Sequence, residues 1–289
     1  MRFMFAIIGI IVTLVSVIGG YAAPGGHLDV LFQPFEWIII VGAAVGSLLL
    51  GNPKSIITGI AGNIAVVFKG AHHGKDDYIE MLSMLYAVFK LAKTKGDLAL
   101  ESHVEKPDES PLFAKFPKFT NDHHTRTFLC DYLRLLTLGT SNAHELESII
   151  DGELESHHKH YHEIANAVNL MGDAMPALGI VAAVLGVIHT MGSITEPPEV
   201  LGHLIGAALV GTFSGVLISY AFVAPIARNM QLCFDSDHNY FLAIKAGLLG
   251  HMQGYAPQVS IEFARKILPD ELRPTFQELE ETVTNLPPD

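Results

Sequence analysis

The chain has 289 residues, of which 49% are hydrophobic and only 17% are charged, and its mean hydropathy is +0.35. This composition is too apolar for an ordinary soluble domain and indicates a membrane protein. The formal net charge of −12 argues against nucleic acid as a partner, because binding it requires a basic face.

Four stretches are apolar enough to cross a membrane as helices, which takes about 20 residues. They cover residues 3–21, 37–50, 174–191 and 201–226. The first is too long for a signal peptide of the usual form. The second is short, but Phe35 and interfacial Glu36 can extend it at its wet end. A pair of buried helices in a soluble core is the alternative for the last two, and their length and lack of charge argue against it.

No Asp, Glu, Lys or Arg lies in the interior of any span. We therefore predict an all-α, polytopic membrane protein with four transmembrane helices, membrane lipid around it and a helical cytoplasmic domain. Its spans hold no titrating acid, so any ion that it helps to move must find a carboxylate elsewhere.

All 18 Lys and Arg residues can be placed on one side of the four spans. The two loops 22–34 and 192–200 have none, so the rule that basic loops stay inside places both termini in the cytoplasm. We expect a multi-pass protein of the bacterial inner membrane. Its predicted parts are the first two spans (1–51), a cytoplasmic helical domain (52–173), spans three and four (174–228) and a cytoplasmic helical tail (229–289).

The polar segments are also predicted to form helices. Apolar residues recur at helical spacing after span two, which predicts an amphipathic helix on the inner membrane surface. Further helices are predicted over 76–95, capped by Gly96, and over 121–138, ended by Gly139. A long polar helix begins near Ser141 and can run directly into span three. Another helix leaves the membrane after span four.

Small residues mark the spans for close packing. Three pairs have the Gly-x-x-x-Gly spacing that lets membrane helices approach closely: Gly42 and Gly46, Gly202 and Gly206, and Gly211 and Gly215. Gly172, Gly179 and Gly186 recur every seven residues and therefore line one face of span three.

Two prolines and one threonine interrupt the apolar sequence of spans three and four. Pro176 and Pro225 each remove a backbone donor, which predicts a hinge. The alternatives are that Pro176 only marks a first helical turn and that Pro225 only kinks its helix. Thr212 either bonds back to its own helix or lines a polar path for an ion.

Histidines cluster at His157, His158, His160 and His162. His158 and His162 are one helical turn apart, and Glu155 could add a third metal ligand. No recognised zinc motif is completed, so a solvated helix face is favoured and no metal site is predicted. The sequence also has no phosphate-binding loop and no hydrolase motif. We therefore predict that the chain is not an enzyme and carries no cofactor, and that an ion gradient supplies its energy.

Several segments together resemble the flagellar stator subunits of the MotA type, in the MotA/TolQ/ExbB proton channel superfamily. They are GGYAAPGGHLDVLFQPFEWIIIVGAAVGS, MGDAMPALGIVAAVLGVIHTMGS, ALVGTFSGVLISYAFVAPIA and GYAPQVSIEFARKILPDELRPTFQELEE. The resemblance covers nearly the whole chain. It implies a homopentamer that surrounds two MotB subunits, each of which brings one membrane helix with the ion-carrying aspartate. Ion flow would then turn the rotor through FliG.

The resemblance also assigns roles to individual residues. Pro176 and Pro225 match the family's two functional prolines, Thr212 matches its channel threonine, and Gly179 and Ala183 would join them around the partner helix. Lys93 and Glu101 match the charges that meet the rotor, with lysine here in place of the usual arginine.

The same resemblance favours protons as the coupling ion. Ala183 stands where sodium-driven relatives carry a threonine, and a methyl group cannot replace a hydroxyl as a sodium ligand. A sodium-driven stator is the first alternative. The others are an ExbB- or TolQ-like energiser of outer-membrane transport, whose relatives have three spans, and a metal-sensing or structural scaffold built on the histidine cluster.

Overall fold

The computed structural model describes residues 2–140 and 142–287. These residues contain fourteen α-helices and no strand. The helices are α1 (Arg2–Ala22), α2 (Leu28–Leu31), α3 (Pro34–Gly51), α4 (Lys54–Asn63), α5 (Val66–Lys69), α6 (Lys75–Lys95), α7 (Glu101–Glu105), α8 (Pro117–Asn121), α9 (His123–Thr137), α10 (Ala143–Met191), α11 (Pro198–Ile218), α12 (Ala224–Met252), α13 (Pro257–Ile267) and α14 (Phe276–Thr284).

Short helical turns of other types complete the chain. Three 3₁₀ helices follow α6 and α7, and a π-helical turn, Ser219–Val223, joins α11 to α12. The 3₁₀ helices are Asp97–Leu100, Pro107–Glu109 and Phe113–Lys115. Four helical stretches are long and apolar enough to cross a membrane, so the predictions of an all-α fold and of four spans are confirmed.

The chain forms two compact units. The spanning unit consists of Met1–Gly70 and Lys159–Phe234, and the second unit consists of Ala71–His158 and Asp235–Asp289. Helices α10 and α12 each contribute residues to both units. The boundaries differ from those drawn on the sequence, because α4 and α5 pack in the spanning unit. There Gly59 lies against Ile164, and Val66 and Val67 are buried.

The second unit has a hydrophobic core around α6. Met81, Leu85 and Phe89 on one face of this helix are fully buried. Helix α6 is capped by Gly96 and α9 is followed by Gly139, as predicted, and both glycines have positive φ angles of 84° and 93°. Only glycine adopts this conformation easily, which explains why both helices stop there.

The long helix α10 corrects one reading of the sequence. Its bounds show that Pro176 lies deep inside a continuous helix and not in a first turn. The polar helix does run directly into span three, as predicted. Ser141, where that helix was expected to begin, lies outside the described residues.

Candidate functional site

Spans three and four meet at three glycines, Gly179 on α10 and Gly211 and Gly215 on α11, which we call the glycine seam. A methyl group added at Gly179 would lie 2.8 Å from the carbonyl oxygen of Gly211 and 3.1 Å from the Cα of Gly215. One added at Gly215 would lie 2.6 Å from the carbonyl oxygen of Met175. The two backbones are therefore in direct contact, as small residues permit in membrane helices.

The seven-residue glycine repeat of span three lines one face, as predicted, and this face meets α11 and the π-helical turn after it. A methyl group at Gly172 would lie 2.9 Å from Cγ1 of Val223, and one at Gly186 would lie 2.7 Å from Cβ of Ala208. The other glycine motifs behave differently. Gly42, Gly46 and Gly202 face open space in the described structure, and a methyl group at Gly206 would make an ordinary contact, 3.6 Å from Cγ1 of Val30. Of these described motif glycines, those of the seam are the ones that touch a backbone of another helix.

Two further predicted residues lie at the seam. The Ala183 nitrogen is 3.1 Å from the position of a methyl group on Gly211, and the Thr212 Cα is 3.4 Å from that of one on Gly179. The half-buried Thr212 has no hydrogen-bond partner for its hydroxyl among the described residues. Thr190, in contrast, bonds back to the carbonyl of Gly186 at 2.9 Å.

The two prolines lie at similar levels but on different surfaces. Pro176 is one turn from Gly172, whose added methyl group would lie 3.7 Å from the nitrogen of Ala224, next to Pro225. Pro225 itself is exposed and lines a groove of about 330 Å³ beside Phe5, Gly9 and other residues of α1 and α5. The structure thus gathers Gly179, Ala183 and Thr212 at the seam and leaves Pro225 outside it.

Glu36, in the first turn of the helix of span two, lies against spans three and four. One of its carboxylate oxygens lies 2.9 Å from the position of a methyl group on Gly211, and the other lies 3.4 Å from that on Gly186. At 1.5 Å rise per residue, Gly211 is about 20 Å along α11 from its first residue. The first of these oxygens is buried without a hydrogen-bond partner among the described residues.

Glu36 stands between spans because of the helix that carries it. Helix α3 starts at Pro34 and packs its first turns against α11, where the indole nitrogen of Trp37 donates to the Ser214 hydroxyl at 3.2 Å. A buried carboxylate oxygen without a hydrogen-bond partner is expensive. The signal in the sequence is a Glu in the first turn of an apolar helix.

The predicted rotor-facing charges lie in the second unit, and both are exposed. Lys93 is in the last turn of α6, and its ammonium group donates to the carbonyl of Gly254 at 3.0 Å. It lines a cavity of about 480 Å³ together with Asp97 and His251. Glu101 opens α7, where the helix dipole favours a carboxylate. Lys93 therefore anchors the turn after α12 as well as presenting a charge.

An ion-pair cluster that the sequence did not reveal fixes the start of α6. The ring of His73 bonds Asp122 at 3.1 Å with one nitrogen and Asp237 at 3.2 Å with the other. Burial lowers the pKa of His73, but these two hydrogen bonds outweigh it and raise the pKa to about 9. The imidazolium in turn holds the pKa of Asp122 below its usual range, despite the burial of that carboxylate.

The predicted histidine cluster is distributed among several partners. His157 meets His124 at 2.7 Å, His158 lies 3.9 Å from Asp235, and His162 bonds Gln231 at 2.8 Å. No group of three His, Cys, Asp or Glu side chains in the described residues could hold a metal ion. The geometry therefore gives no support to the metal-sensing alternative.

Comparisons with known proteins cover both units. Residues 7–96 match the model of the Motility protein A N-terminal family, and residues 120–239 match that of the MotA/TolQ/ExbB proton channel family. Motility protein A of Escherichia coli is 39% identical over 97% of this chain and 95% of its own. The chemotaxis protein LafT of Vibrio parahaemolyticus is 32% identical over 94% of this chain and 96% of its own.

Solved structures agree with the fold. A chain of the flagellar MotAB stator complex from Bacillus subtilis superposes with a TM-score of 0.70 at 26% identity, covering 89% of this chain and 92% of its own. A chain of MotAB from C. jejuni gives a TM-score of 0.75 at 22% identity, covering 92% and 95%. The chain therefore belongs to the motility protein A group of the MotA/TolQ/ExbB proton channel family.

Proposed function

We propose that this chain, as a stator subunit of the bacterial flagellar motor, couples proton flow across the inner membrane to rotor torque. It would do so with a MotB-like subunit that supplies the ion-carrying acid. The relatives are motility proteins and the similar structures are MotAB stators, which supports this function over an energiser of outer-membrane transport. The four spans also support a stator subunit, because the energisers of outer-membrane transport have three spans.

The observation that carries the proposal is the glycine seam. There the backbones of α10 and α11 touch, and the Thr212 hydroxyl has no partner within the described chain. A ring of such subunits can surround a partner helix with small side chains and a few polar groups. We propose five copies around two MotB-like helices, with both termini of each copy in the cytoplasm.

The seam also supports protons as the coupling ion. Ala183 lies beside Gly211 and offers only a methyl group, whereas sodium is bound by oxygen ligands. We propose that Gly179, Ala183, Thr212 and Pro176 border the partner helix and that Pro225 acts as a hinge at the inner end of span four. Lys93 and Glu101 would meet FliG.

Complementation tests the proposal. The chain and its MotB-like partner are expressed in a flagellated strain that lacks its own stators, and swimming and cytoplasmic acidification are measured together. We expect restored swimming and a proton flux that collapses when the membrane potential and pH gradient are removed. Paralysed cells with correctly assembled complexes would contradict the proposal.

A further inference from the structure

The groove of about 330 Å³ lies between α1, α5 and the part of the chain that follows α11. We call it the phenylalanine groove, because Phe5, Phe68 and Phe222 line it. Its described lining residues include no charged side chain, and the polar ones are Thr13 and Asn229. Binding pockets for small molecules typically have about 300–1,000 Å³ and apolar walls with a few polar groups. The groove therefore has the size and the lining of a binding site.

The length of the groove matches one leaflet of a membrane. Along α1 it extends from Phe5 to Thr13, which is about 12 Å at 1.5 Å rise per residue. The hydrocarbon core of a bilayer is about 30 Å thick, so each leaflet contributes about 15 Å. Gly9 lies midway along this stretch, and no other part of the described chain lies within 4 Å of a methyl group added there. The groove is therefore open where an acyl chain would pass.

The walls of the groove favour an acyl chain over a helix of another protein chain. Membrane helices approach closely through small residues, as α10 and α11 do at the glycine seam. In the groove, the side chains of Phe5 and Phe68 are 63% and 39% exposed and hold a helix of about 10–12 Å diameter away. Apolar contact alone does not draw a helix out of lipid, because lipid tails are as apolar as the side chains. A single acyl chain is narrower and can lie beside the rings.

Two cations lie next to the groove. Lys69 ends α5, directly after a lining phenylalanine. Arg228 comes three residues after Pro225, and residues at this spacing are neighbours on a helix. Both cations are exposed, and neither has a carboxylate partner among the described residues. The amide nitrogen of Asn229 lies 3.4 Å from the carbonyl oxygen of Val67, which links α12 to α5 here. Basic groups beside a groove between membrane helices bind anionic lipid head groups.

We propose that the phenylalanine groove binds one anionic phospholipid per subunit. One acyl chain of this lipid lies beside Gly9, between Phe5 and Phe68. Its phosphate lies against Lys69 and Arg228. This lipid site goes beyond the proposed function and does not depend on ion flow, so its occupancy can be counted in complexes whether or not they carry protons.

The test counts the phospholipid bound to the complete complex with the MotB-like subunit. The purified complex is stripped of lipid in detergent and titrated with dioleoyl phosphatidylglycerol or with the zwitterionic dioleoyl phosphatidylcholine, and bound lipid is counted by native mass spectrometry. Gly9→Leu fills the groove. Gly19→Leu is the matched control, because Gly19 lies in the same helix, has equally open surroundings and does not line the groove.

We expect Gly9→Leu to lose one bound phosphatidylglycerol per subunit, while Gly19→Leu keeps the wild-type number. Joint replacement of the cations, by Lys69→Gln and Arg228→Gln, should weaken the binding of phosphatidylglycerol about 25-fold, which is about fivefold for each cation. The same pair of changes should leave the binding of phosphatidylcholine as it is. Lys54→Gln, at an exposed cation of α4 that is not in the groove, should change neither.

Equal numbers of bound phosphatidylglycerol in Gly9→Leu and Gly19→Leu would overturn the proposal. Equal affinities of the wild type for the two lipids would do the same, because the cations would then select nothing. Dissociation of the subunit ring in Gly9→Leu but not in Gly19→Leu would also overturn it, since a neighbouring copy would then be the occupant of the groove. A wild-type complex that binds the lipid but carries no protons would contradict only the proposed function.

Discussion

Replacement of Gly179 by alanine tests the packing of the spans directly. A methyl group there would lie 2.8 Å from the carbonyl oxygen of Gly211, whereas non-bonded atoms prefer about 3.5–4.0 Å. The variant must therefore move α10 and α11 apart by about 0.7 Å or distort one of them. Overpacking of this kind costs about 1–3 kcal/mol.

Gly152→Ala is the matched control. Gly152 lies in the same helix, and no atom approaches the position of an added methyl group within 4 Å. Both variants gain about 0.5–1 kcal/mol from the better helix propensity of alanine, so their difference isolates the contact at the seam.

The assay is the thermal midpoint of the purified complex, followed by the swimming speed of cells that carry it. A loss of 1–3 kcal/mol corresponds to a decrease of about 2–10 °C for a chain of this size. We expect that decrease relative to Gly152→Ala, with slower swimming, for Gly179→Ala, and no decrease for Gly152→Ala relative to the wild type. If Gly179→Ala melts and swims like Gly152→Ala, the helices are not in contact at the seam and the reasoning is refuted.

Two other predictions concern the second unit. Lys93→Glu should slow swimming more than Lys95→Glu, a change at an exposed neighbour on the same helix end, because Lys93 both presents the proposed rotor charge and donates to Gly254. Partial rescue of swimming by a reversed charge on the rotor would confirm the role of Lys93 as rotor charge. Equal swimming speeds of the two variants would contradict the assignment. The raised pKa of His73, about 9, contributes stability that is complete below pH 6.5 and is lost as the pH rises through 9, on the order of 3 kcal/mol. Unfolding followed from pH 6 to 9.5 should show this decline in the wild type and a flatter profile in His73→Gln, and parallel profiles would count against the ion-pair cluster.

Patterns of one residue type predicted the fold well. Apolar length predicted four spans, and the seven-residue glycine repeat predicted a face of small residues on span three. Gly96 and Gly139 predicted where α6 and α9 end. Each of these features depends on local sequence and simple periodicity, which is why it can be read without the structure.

Features that depend on contacts between distant residues could not be read in the same way. Glu36 lies in the first turn of α3, and only the fold shows that α11 runs past it and that one of its oxygens is buried there. His73 finds its two carboxylates 49 and 164 residues away in the chain. Pro176 looked like the start of a span because the apolar stretch begins there, although the polar helix before it is continuous with the span.

The coupling of proton flow to torque is tested most directly by rotation speed against external sodium, at fixed pH and fixed membrane potential. The cells carry this chain and its MotB-like partner as their only stators. We predict a constant speed across the whole range of sodium concentrations, because the Ala183 side chain at the seam offers no oxygen ligand and protons are the proposed coupling ion. A speed that rises with sodium and vanishes without it would contradict the account.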